Sequence, residues 1–178
     1  MVDLKEKVIV IDPDKCTGCH SCEMACSMKN FGKNHPYYSR IRINEFRDVN
    51  TFIPVTCQAC EDASCVKVCP MGARYRKENG AIVTNEDVCI GCRACVYACH
   101  SGAPVINPET GKTMSCDKCA GEEKPWCVRA CTMQQALQYV PKYMVSSVSG
   151  KKFAWELKEE YKPKAGKDDE PQFNFSFA

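Results

Sequence analysis

The sequence contains no long apolar run and few aromatic residues. No stretch approaches the roughly 18 uncharged apolar residues of a membrane-spanning helix, and Phe, Tyr and Trp make up only 9% of the 178 residues. The N terminus, MVDLKEKVIVIDPDKC, lacks the apolar core and the small-residue cleavage site of a secretory signal. These absences predict a cytoplasmic protein without a membrane span, stabilised by something other than a large apolar core.

Familiar catalytic motifs are missing as well. The sequence has no phosphate-binding loop, no dinucleotide fingerprint and no recognisable nucleophile triad. It is instead rich in cysteine, with 16 residues. Without an export signal these thiols are expected to stay reduced, because disulfides persist only in oxidising compartments. A disulfide framework is therefore excluded, and metal binding becomes the leading interpretation.

The cysteines fall into four groups of four, with none left over. The first and third groups share the spacing CxxCxxCxxxC, and the matching segments DKCTGCHSCEMAC and DVCIGCRACVYAC form an internal repeat. The second and fourth groups read CxxC, a spacer of four or seven residues, and then CxxxC. In chain order the groups are Cys16, Cys19, Cys22 and Cys26; Cys57, Cys60, Cys65 and Cys69; Cys89, Cys92, Cys95 and Cys99; and Cys116, Cys119, Cys127 and Cys131.

This spacing is typical of 4Fe-4S clusters. A cubane cluster requires four thiolates, and CxxCxxC supplies three of them from one tight loop while the fourth comes from elsewhere. A structural zinc site would use two CxxC or CxxH pairs with a longer insert and has no place for the additional cysteines. The sequence therefore predicts four 4Fe-4S clusters. Their thiolates turn the formal charge of +2 into a net negative charge, which argues against nucleic-acid binding.

The middle of the sequence resembles a bacterial two-cluster ferredoxin, over CVKVCPMGARYRKENGAIVTNEDVCIGCRACVYAC. In those proteins the last cysteine of each group ligates the neighbouring cluster. The resemblance implies that groups two and three exchange fourth ligands, and that groups one and four do the same. The implied sets are Cys16, Cys19, Cys22 and Cys131 for cluster 1; Cys26, Cys116, Cys119 and Cys127 for cluster 2; Cys57, Cys60, Cys65 and Cys99 for cluster 3; and Cys69, Cys89, Cys92 and Cys95 for cluster 4. Sequential pairing of group one with two and of three with four is the alternative.

Short segments of β character separate the cysteine groups. Residues 8–11, 39–46 and 81–84 are predicted strands, Asn79-Gly80 and residues 107–112 are predicted hairpin turns, and the CxxxC ends are predicted to form short helical turns. We expect an α+β fold of short strands and short helices, arranged as two interlocked ferredoxin-like modules wrapped around four clusters. The outer module comprises residues 1–50 and 100–144, and the inner module comprises residues 51–99. Residues 145–178 form an extension in which Phe173, Phe175 and Phe177 alternate as in a strand that buries one face, either by docking on a partner or by packing on this protein.

Over about residues 5–140 the four groups resemble, in order and spacing, the iron-sulfur subunits of the dimethyl sulfoxide reductase family. The compact sequence and its HPYYSRIRI segment are most similar to the small polyferredoxin subunits of tungsten enzymes in the aldehyde oxidoreductase superfamily. This resemblance implies a non-catalytic subunit that relays single electrons. Its expected partners are a larger tungsten or molybdenum pterin subunit, which oxidises aldehydes or dearomatises aryl-CoA, and an external carrier such as a ferredoxin or a flavin subunit.

Three other functions remain open on the sequence. The protein is alternatively a free polyferredoxin that shuttles electrons, the electron-transfer subunit of a formate dehydrogenase or hydrogenase, or a metal-stabilised binding module without redox activity. Co-purification with a larger polypeptide distinguishes the first from a fixed subunit. Reducible clusters distinguish all the electron carriers from a binding module.

Several residues beside the ligand cysteines have secondary interpretations. Gly18 and Gly91 are expected to let the backbone bend tightly and to turn amide N–H groups toward sulfur. His20 and His100 are interpreted as packing or surface histidines rather than proton carriers. Residues expected to shield clusters from water or to offset their charge are Trp126, Tyr97, Arg93, Lys118 and Arg129.

Overall fold

The computed structural model describes residues 6–132 and 135–145. Met1–Tyr143 form one compact unit and Met144–Ala178 form a second. Nearly all of the second unit lies outside the described residues, including Phe173, Phe175 and Phe177 of the predicted docking strand. All sixteen cysteines belong to the first unit.

The described part of the protein contains eight short strands in four antiparallel pairs. The strands are β1 (Lys7–Ile11), β2 (Arg42–Phe46), β3 (Thr51–Val55), β4 (Arg74–Arg76), β5 (Ile82–Thr84), β6 (Val105–Ile106), β7 (Thr113–Met114) and β8 (Leu137–Pro141). Three pairs, β2–β3, β4–β5 and β6–β7, join neighbouring strands. The fourth joins β1 to β8, with Lys7 opposite Pro141 and Ile11 opposite Leu137.

Each cysteine group carries one α-helix, which begins at the residue before the third cysteine of the group. The helices are α1 (Ser21–Phe31), α2 (Ser64–Lys67), α3 (Ala94–Tyr97) and α4 (Trp126–Ala130). Short 3-10 helices lie at Pro13–Lys15, Pro36–Tyr38 and Lys142–Met144. The third cysteine of every group therefore lies in the first turn of a helix, so the four groups share one local geometry.

The local predictions from sequence are confirmed with one exception. The strands predicted at residues 8–11, 39–46 and 81–84 correspond to β1, β2 and β5, and the two predicted turns join β4 to β5 and β6 to β7. The prediction of a short helical turn is wrong for the first group, because α1 has 11 residues. Neither Pro nor Gly follows Cys26 until Gly32, where a left-handed residue ends the helix. In the second group, by contrast, Pro70 directly follows Cys69.

The apolar core is small and contains the cysteines themselves. α1 packs against α4, which also contacts β8, whereas α2 packs against α3. Groups one and four consequently share one cluster of buried residues, and groups two and three share another. The buried members of the first cluster are Cys22, Cys26, Ile41, Cys127, Val128 and Leu137. Those of the second are Cys65, Ile82 and Cys95.

Contacts cross the expected boundaries between the two modules. The boundary between residues 50 and 51 falls inside the β2–β3 hairpin, where Phe46 pairs with Thr51. Thr113 of β7, expected in the outer module, lies with its hydroxyl 3.7 Å from Cys89 Sγ and 3.6 Å from Cys95 Sγ. The cysteines of the inner segment are therefore contacted by side chains from outside it.

Candidate metal centres

A cavity of about 220 Å³ lies beside the start of α1. Its lining includes Cys16, Cys19 and Cys22 from the first group and Cys131 from the fourth, together with apolar side chains such as Ile43. Cys22 lies in the first turn of α1, and Cys131 directly follows α4. The packing of α1 against α4 thus brings together cysteines that are far apart in sequence.

A second, smaller cavity has the corresponding composition in the other pair of groups. It is lined by Cys69 from the second group and by Cys89, Cys92 and Cys95 from the third. Arg74 of β4 forms another part of its wall. Each of the two cavities therefore combines three cysteines of one CxxCxxC loop with the last cysteine of a different group.

Four further cysteines influence one another electrostatically. Burial raises the pKa of the Cys127 thiol well above its ordinary value. Cys116, Cys26 and Cys119, and to a smaller extent Cys22, raise it further as like charges. Burial, with a smaller contribution from Cys26, also raises the pKa of Cys116 to about 12. The N–H of Arg40 donates to Cys26 Sγ at 3.3 Å. These four thiols lie close together in a protected environment.

The remaining four cysteines are linked by fewer contacts. Burial raises the pKa of the Cys57 thiol, and the neighbouring Cys65 and Cys60 raise it further. Cys99, the expected fourth member, lies two residues beyond the end of α3, and its sulfur lies 3.4 Å from Ser101 Oγ. Cys99 is connected with Cys57, Cys60 and Cys65 through the packing of α3 against α2.

The third residue of each CxxC segment has a left-handed backbone. The φ angle is 68° at Gly18, 51° at Ala59, 70° at Gly91 and 57° at Lys118. In the fourth group the Lys118 amide donates to Cys116 Sγ at 3.4 Å, and the Ala59 and Gly91 amides bond to the first cysteine of their own segments. The sequence predicted this geometry at the two glycines but not at Ala59 or Lys118, because residues with a Cβ rarely take positive φ.

These thiols fit a positively charged iron core. Burial, together with the negative neighbours Glu23, Cys16 and Cys19, raises the pKa of Cys22 to about 12. Thiolates grouped in this way require a cation, and bound metal deprotonates a coordinating thiol. Within residues 6–132 and 135–145, no three His, Cys, Asp or Glu side chains surround a single metal ion. The fit to a larger iron-sulfur cluster rests on the donor sets of the two cavities, of about 220 and 10 Å³, each of which is lined by four cysteines.

The cations expected near the clusters differ in their surroundings. Lys118 is only 6% exposed and pairs with Glu6 at 3.5 Å. Arg129 pairs with Glu122 at 3.8 Å, and Arg93 is exposed. Of the three, only Lys118 is buried next to ligand cysteines.

Two arginines with a nitrogen close to a cysteine sulfur were not identified from the sequence, the backbone amide being the nitrogen in Arg40. Arg40 pairs with Asp117 at 3.2 Å while its amide contacts Cys26. The buried Arg74 places a guanidinium nitrogen 3.6 Å from Cys65 Sγ. The contacts of both arginines join separate segments of the sequence, and no spacing rule predicts such contacts.

The expectation that Tyr97 shields a cluster is wrong, because its side chain is 85% exposed. It lies two residues after the buried Cys95, and two residues correspond to about 200° around a helix. Its ring therefore points away from the side of α3 that carries the ligand. Trp126 is half-buried, and Lys29 and Arg129 lie over its ring.

The histidines have the surroundings of packing or surface residues. His20 Nδ1 lies 2.7 Å from a carboxylate oxygen of Glu23, and its Nε2 lies 3.1 Å from one of Glu45. The hydrogen bond to Glu23 raises the pKa of His20. Glu23 in turn accepts the N–H of Ile43 at 2.8 Å, and His100 is exposed. His20 thus joins α1 to the β2–β3 hairpin.

Two family models match the sequence: a 4Fe-4S dicluster domain over residues 49–139 and a 4Fe-4S binding domain over residues 7–28. The B subunit of the anaerobic dimethyl sulfoxide reductase of Escherichia coli (strain K12) is 40% identical over 149 residues, which cover 74% of this protein and 71% of that subunit. The protein belongs to this family of iron-sulfur subunits. The polyferredoxin-like subunit of the aliphatic sulfonate oxidoreductase of Pyrococcus furiosus is 42% identical over 132 residues, covering 72% of this protein and 74% of that subunit.

As a member of this family, the protein is an iron-sulfur electron-transport protein, and its sixteen cysteines fit four 4Fe-4S clusters. Among solved structures it is similar to a polypeptide of the active site complex BamBC of benzoyl coenzyme A reductase, with a TM-score of 0.46, 22% identity, and coverage of 87% of this protein and 91% of that polypeptide. In the part of the protein that the structure describes, no helix has the length and apolar character to cross a membrane.

Proposed function

We propose that this protein is a non-catalytic subunit that relays single electrons through four 4Fe-4S clusters. One end of the relay exchanges electrons with a larger catalytic subunit that carries a molybdenum or tungsten pterin. The other end exchanges electrons with an external carrier such as a ferredoxin or a flavin subunit. The observation that carries the proposal is the pair of cavities, each lined by three cysteines of one group and one of another.

The proposed ligand sets follow that pattern. Cys16, Cys19, Cys22 and Cys131 hold cluster 1, and Cys69, Cys89, Cys92 and Cys95 hold cluster 4. For cluster 2, the mutual electrostatic influence of Cys26, Cys116, Cys119 and Cys127 supports the assignment. For cluster 3, the proximity of Cys57, Cys60 and Cys65 and the packing of α2 on α3 support a set that Cys99 completes.

The same contacts support two interlocked modules. The pairing of β1 with β8 and the packing of α1 on α4 associate the first and fourth cysteine groups. The packing of α2 on α3 and the β4–β5 hairpin associate the second and third. In this arrangement the inner module is inserted into the sequence of the outer one, with the shared β2–β3 hairpin at their junction.

Contacts between the modules support a linear order of clusters 1, 2, 3 and 4. Thr56, directly before Cys57 of the cluster 3 set, bonds through its side chain to Cys116 of the cluster 2 set. Of the sixteen cysteines, Cys19 and Cys92 are the two exposed ones, and they belong to the sets for clusters 1 and 4. The first and last clusters of the proposed relay are therefore the two whose ligand sets include an exposed cysteine.

Bound 4Fe-4S clusters supply one-electron oxidation and reduction. The residues of this protein hold them, donate amide N–H groups to sulfur and exclude water from the inner ligands. Hydrogen bonds to sulfur and solvent exposure both adjust the potential of a cluster. The left-handed CxxC residues and the buried thiols of Cys22 and Cys127 contribute these two effects.

The identity of the partner is proposed from the relatives. Their names describe subunits of a dimethyl sulfoxide reductase and of an aliphatic sulfonate oxidoreductase, which supports a larger catalytic subunit that carries the substrate chemistry. Such a subunit, of the aldehyde oxidoreductase type, would oxidise an aldehyde or dearomatise an aryl-CoA. The substrate site would lie entirely outside this protein.

Anaerobic affinity purification from the native cells through a tag on this protein tests the proposal. We expect a larger polypeptide containing tungsten or molybdenum to co-purify, about sixteen iron atoms per copy of this protein, and EPR signals that appear on reduction. A protein that purifies alone with its full iron content indicates a free polyferredoxin. Clusters that stay in one oxidation state indicate a binding module, and either outcome contradicts the proposal.

A further inference from the structure

Arg74 is the largest fully buried side chain of the described residues, with 2% of its surface exposed. It projects from β4, and its guanidinium donates to Thr84 Oγ1 at 2.9 Å and to Ser115 Oγ at 3.4 Å. The nitrogen that contacts Ser115 also lies 3.6 Å from Cys65 Sγ. The positive charge of Arg74 is therefore surrounded by two hydroxyl groups and a sulfur.

This arginine has no carboxylate partner among residues 6–132 and 135–145, and its Nε has no hydrogen-bond acceptor there. Two other buried or half-buried cations near the cysteines are paired with carboxylates, Lys118 with Glu6 and Arg40 with Asp117. A buried charge without a counter-charge is strongly destabilising. Arg74 therefore requires negative charge from a source other than an acidic side chain.

The nearest sources of negative charge are cysteine thiolates of two proposed ligand sets. Cys65 belongs to the proposed cluster 3 set, and Arg74 also lines the cavity whose cysteines form the cluster 4 set. We propose that Arg74 is the buried counter-charge of clusters 3 and 4 and raises the reduction potentials of both. This inference rests on the proposed function.

The sign follows from electrostatics. A reduced cluster carries one more negative charge than an oxidised cluster, so a fixed cation nearby stabilises the reduced form more. Burial strengthens this effect, because the surrounding dielectric constant is low and mobile ions are excluded. A cation of equal charge on the surface is screened and has little influence.

EPR spectra of the anaerobic holoprotein, recorded at a series of poised potentials, test this inference. The variants are Arg74→Met, which removes the charge while retaining much of the length, and Arg74→Lys, which keeps the charge. The matched control is Lys67→Met on α2, two residues from Cys65, where a side chain that is 69% exposed pairs with Asp62. It removes one positive charge near the same ligand, but from the surface.

We expect Arg74→Met to shift the midpoint potentials of clusters 3 and 4 to more negative values and to leave clusters 1 and 2 nearly unchanged. Arg74→Lys should give a smaller shift, and Lys67→Met almost none. If Arg74→Met loses the iron of clusters 3 and 4 whereas Arg74→Lys retains it, the requirement for charge is equally supported.

Three results would overturn the inference. The first is that Arg74→Met with its full iron content has unchanged midpoint potentials. The second is an equal shift of the midpoint potentials in Arg74→Met and Arg74→Lys, and the third is an equal loss of iron in the two variants. The second and third results would indicate a role of Arg74 in packing rather than in charge. The same measurement on the wild-type protein separates failure of the proposed function from failure of this inference. If it contains no reducible clusters, the relay itself is disproved, whereas reducible wild-type clusters with unchanged variant midpoints reject only the role of Arg74.

Discussion

Gly18 illustrates how a single residue in a ligand loop is constrained by both backbone and packing. Its φ of 68° lies in the left-handed region, and a Cβ built on it would come within 2.5 Å of the Phe52 ring. Ala59 and Lys118 adopt the same backbone conformation at the equivalent position. The conformation alone therefore does not require glycine, whereas the approach of Phe52 in the first loop does.

Gly18→Ala should destabilise the first loop more than a left-handed backbone alone explains. Gly32→Ala is the matched control, because Gly32 has a φ of 64° with nothing within 4 Å of its missing Cβ. The strain of a left-handed alanine is about 1–2 kcal/mol, and Gly18→Ala adds displacement of the Phe52 ring. Anaerobic urea unfolding, followed by cluster absorbance, should show the larger loss for Gly18→Ala. Equal losses would mean that Phe52 moves aside freely.

Ligand exchange between the first and fourth groups is testable with single cysteine variants. If Cys131 completes the cluster held by the first group, Cys131→Ser and Cys22→Ser should alter the same EPR signal. Sequential pairing instead assigns Cys131 to the cluster of the third group. In that case Cys131→Ser would alter the signal that Cys95→Ser alters. EPR of the three reduced variants separates these outcomes.

Single residues also show the limits of sequence interpretation. The sixteen candidate ligands could be identified because cysteine spacing in the sequence reflects the geometry of a cubane cluster. Arg74 could not, because its neighbours Thr84, Ser115 and Cys65 come from three other segments. Tyr97 was misassigned because adjacency in sequence to Cys95 does not mean that both side chains share a face of α3.

At the level of secondary structure, the contact between α1 and α4 links the first and fourth cysteine groups within the proposed outer module, alongside the pairing of β1 with β8. Val128 on α4 is 3% exposed and belongs to the same buried cluster as Cys22 and Cys26 of α1. The third cysteine of each group lies in the first turn of its helix, so helix packing determines where two ligand loops meet.

Val128→Ala should weaken the outer module selectively. Removing two buried methyl groups costs about 1–3 kcal/mol, and we expect clusters 1 and 2 to lose iron to a chelator faster than clusters 3 and 4. Val49→Ala is the control, since Val49 is 65% exposed in the β2–β3 turn. EPR spectra taken during iron removal provide the measurement. Simultaneous loss of all four signals would contradict two separable modules.

The strands show which elements can be predicted from sequence. The strands β1, β2 and β5 and the two hairpin turns were predictable, because alternation and turn residues are local signals. The pairing of β1 with β8 was not, since it joins opposite ends of the compact unit and no local pattern specifies it. The length of α1 was missed because the CxxxC spacing indicates only one helical turn, whereas the helix continues until Gly32 in the absence of a breaker.

For the whole molecule, the composition of the core implies that the iron-sulfur clusters stabilise the fold. Both buried clusters of side chains include ligand cysteines, and few large apolar residues accompany them. Burial raises the pKa of thiols such as Cys22 and Cys127, so these side chains become thiolates only when a metal binds them. Cluster binding should therefore contribute much of the folding free energy.

Anaerobic removal of iron should unfold the protein. We expect far-UV circular dichroism to lose its native form in parallel with the cluster absorbance after addition of an iron chelator. The same chelator already saturated with iron is the control and should have no effect. A native spectrum that persists after complete iron removal would show that apolar packing and hydrogen bonds suffice.

The most direct test of the relay is anomalous diffraction at the iron absorption edge from anaerobic crystals of the holoprotein. The account predicts four separate four-iron clusters in the order 1, 2, 3 and 4, with Cys131 on the cluster of Cys16, Cys19 and Cys22, and Cys99 on the cluster of Cys57, Cys60 and Cys65. Density that places Cys26 and Cys60 on the same cluster, or fewer than four clusters, would contradict it.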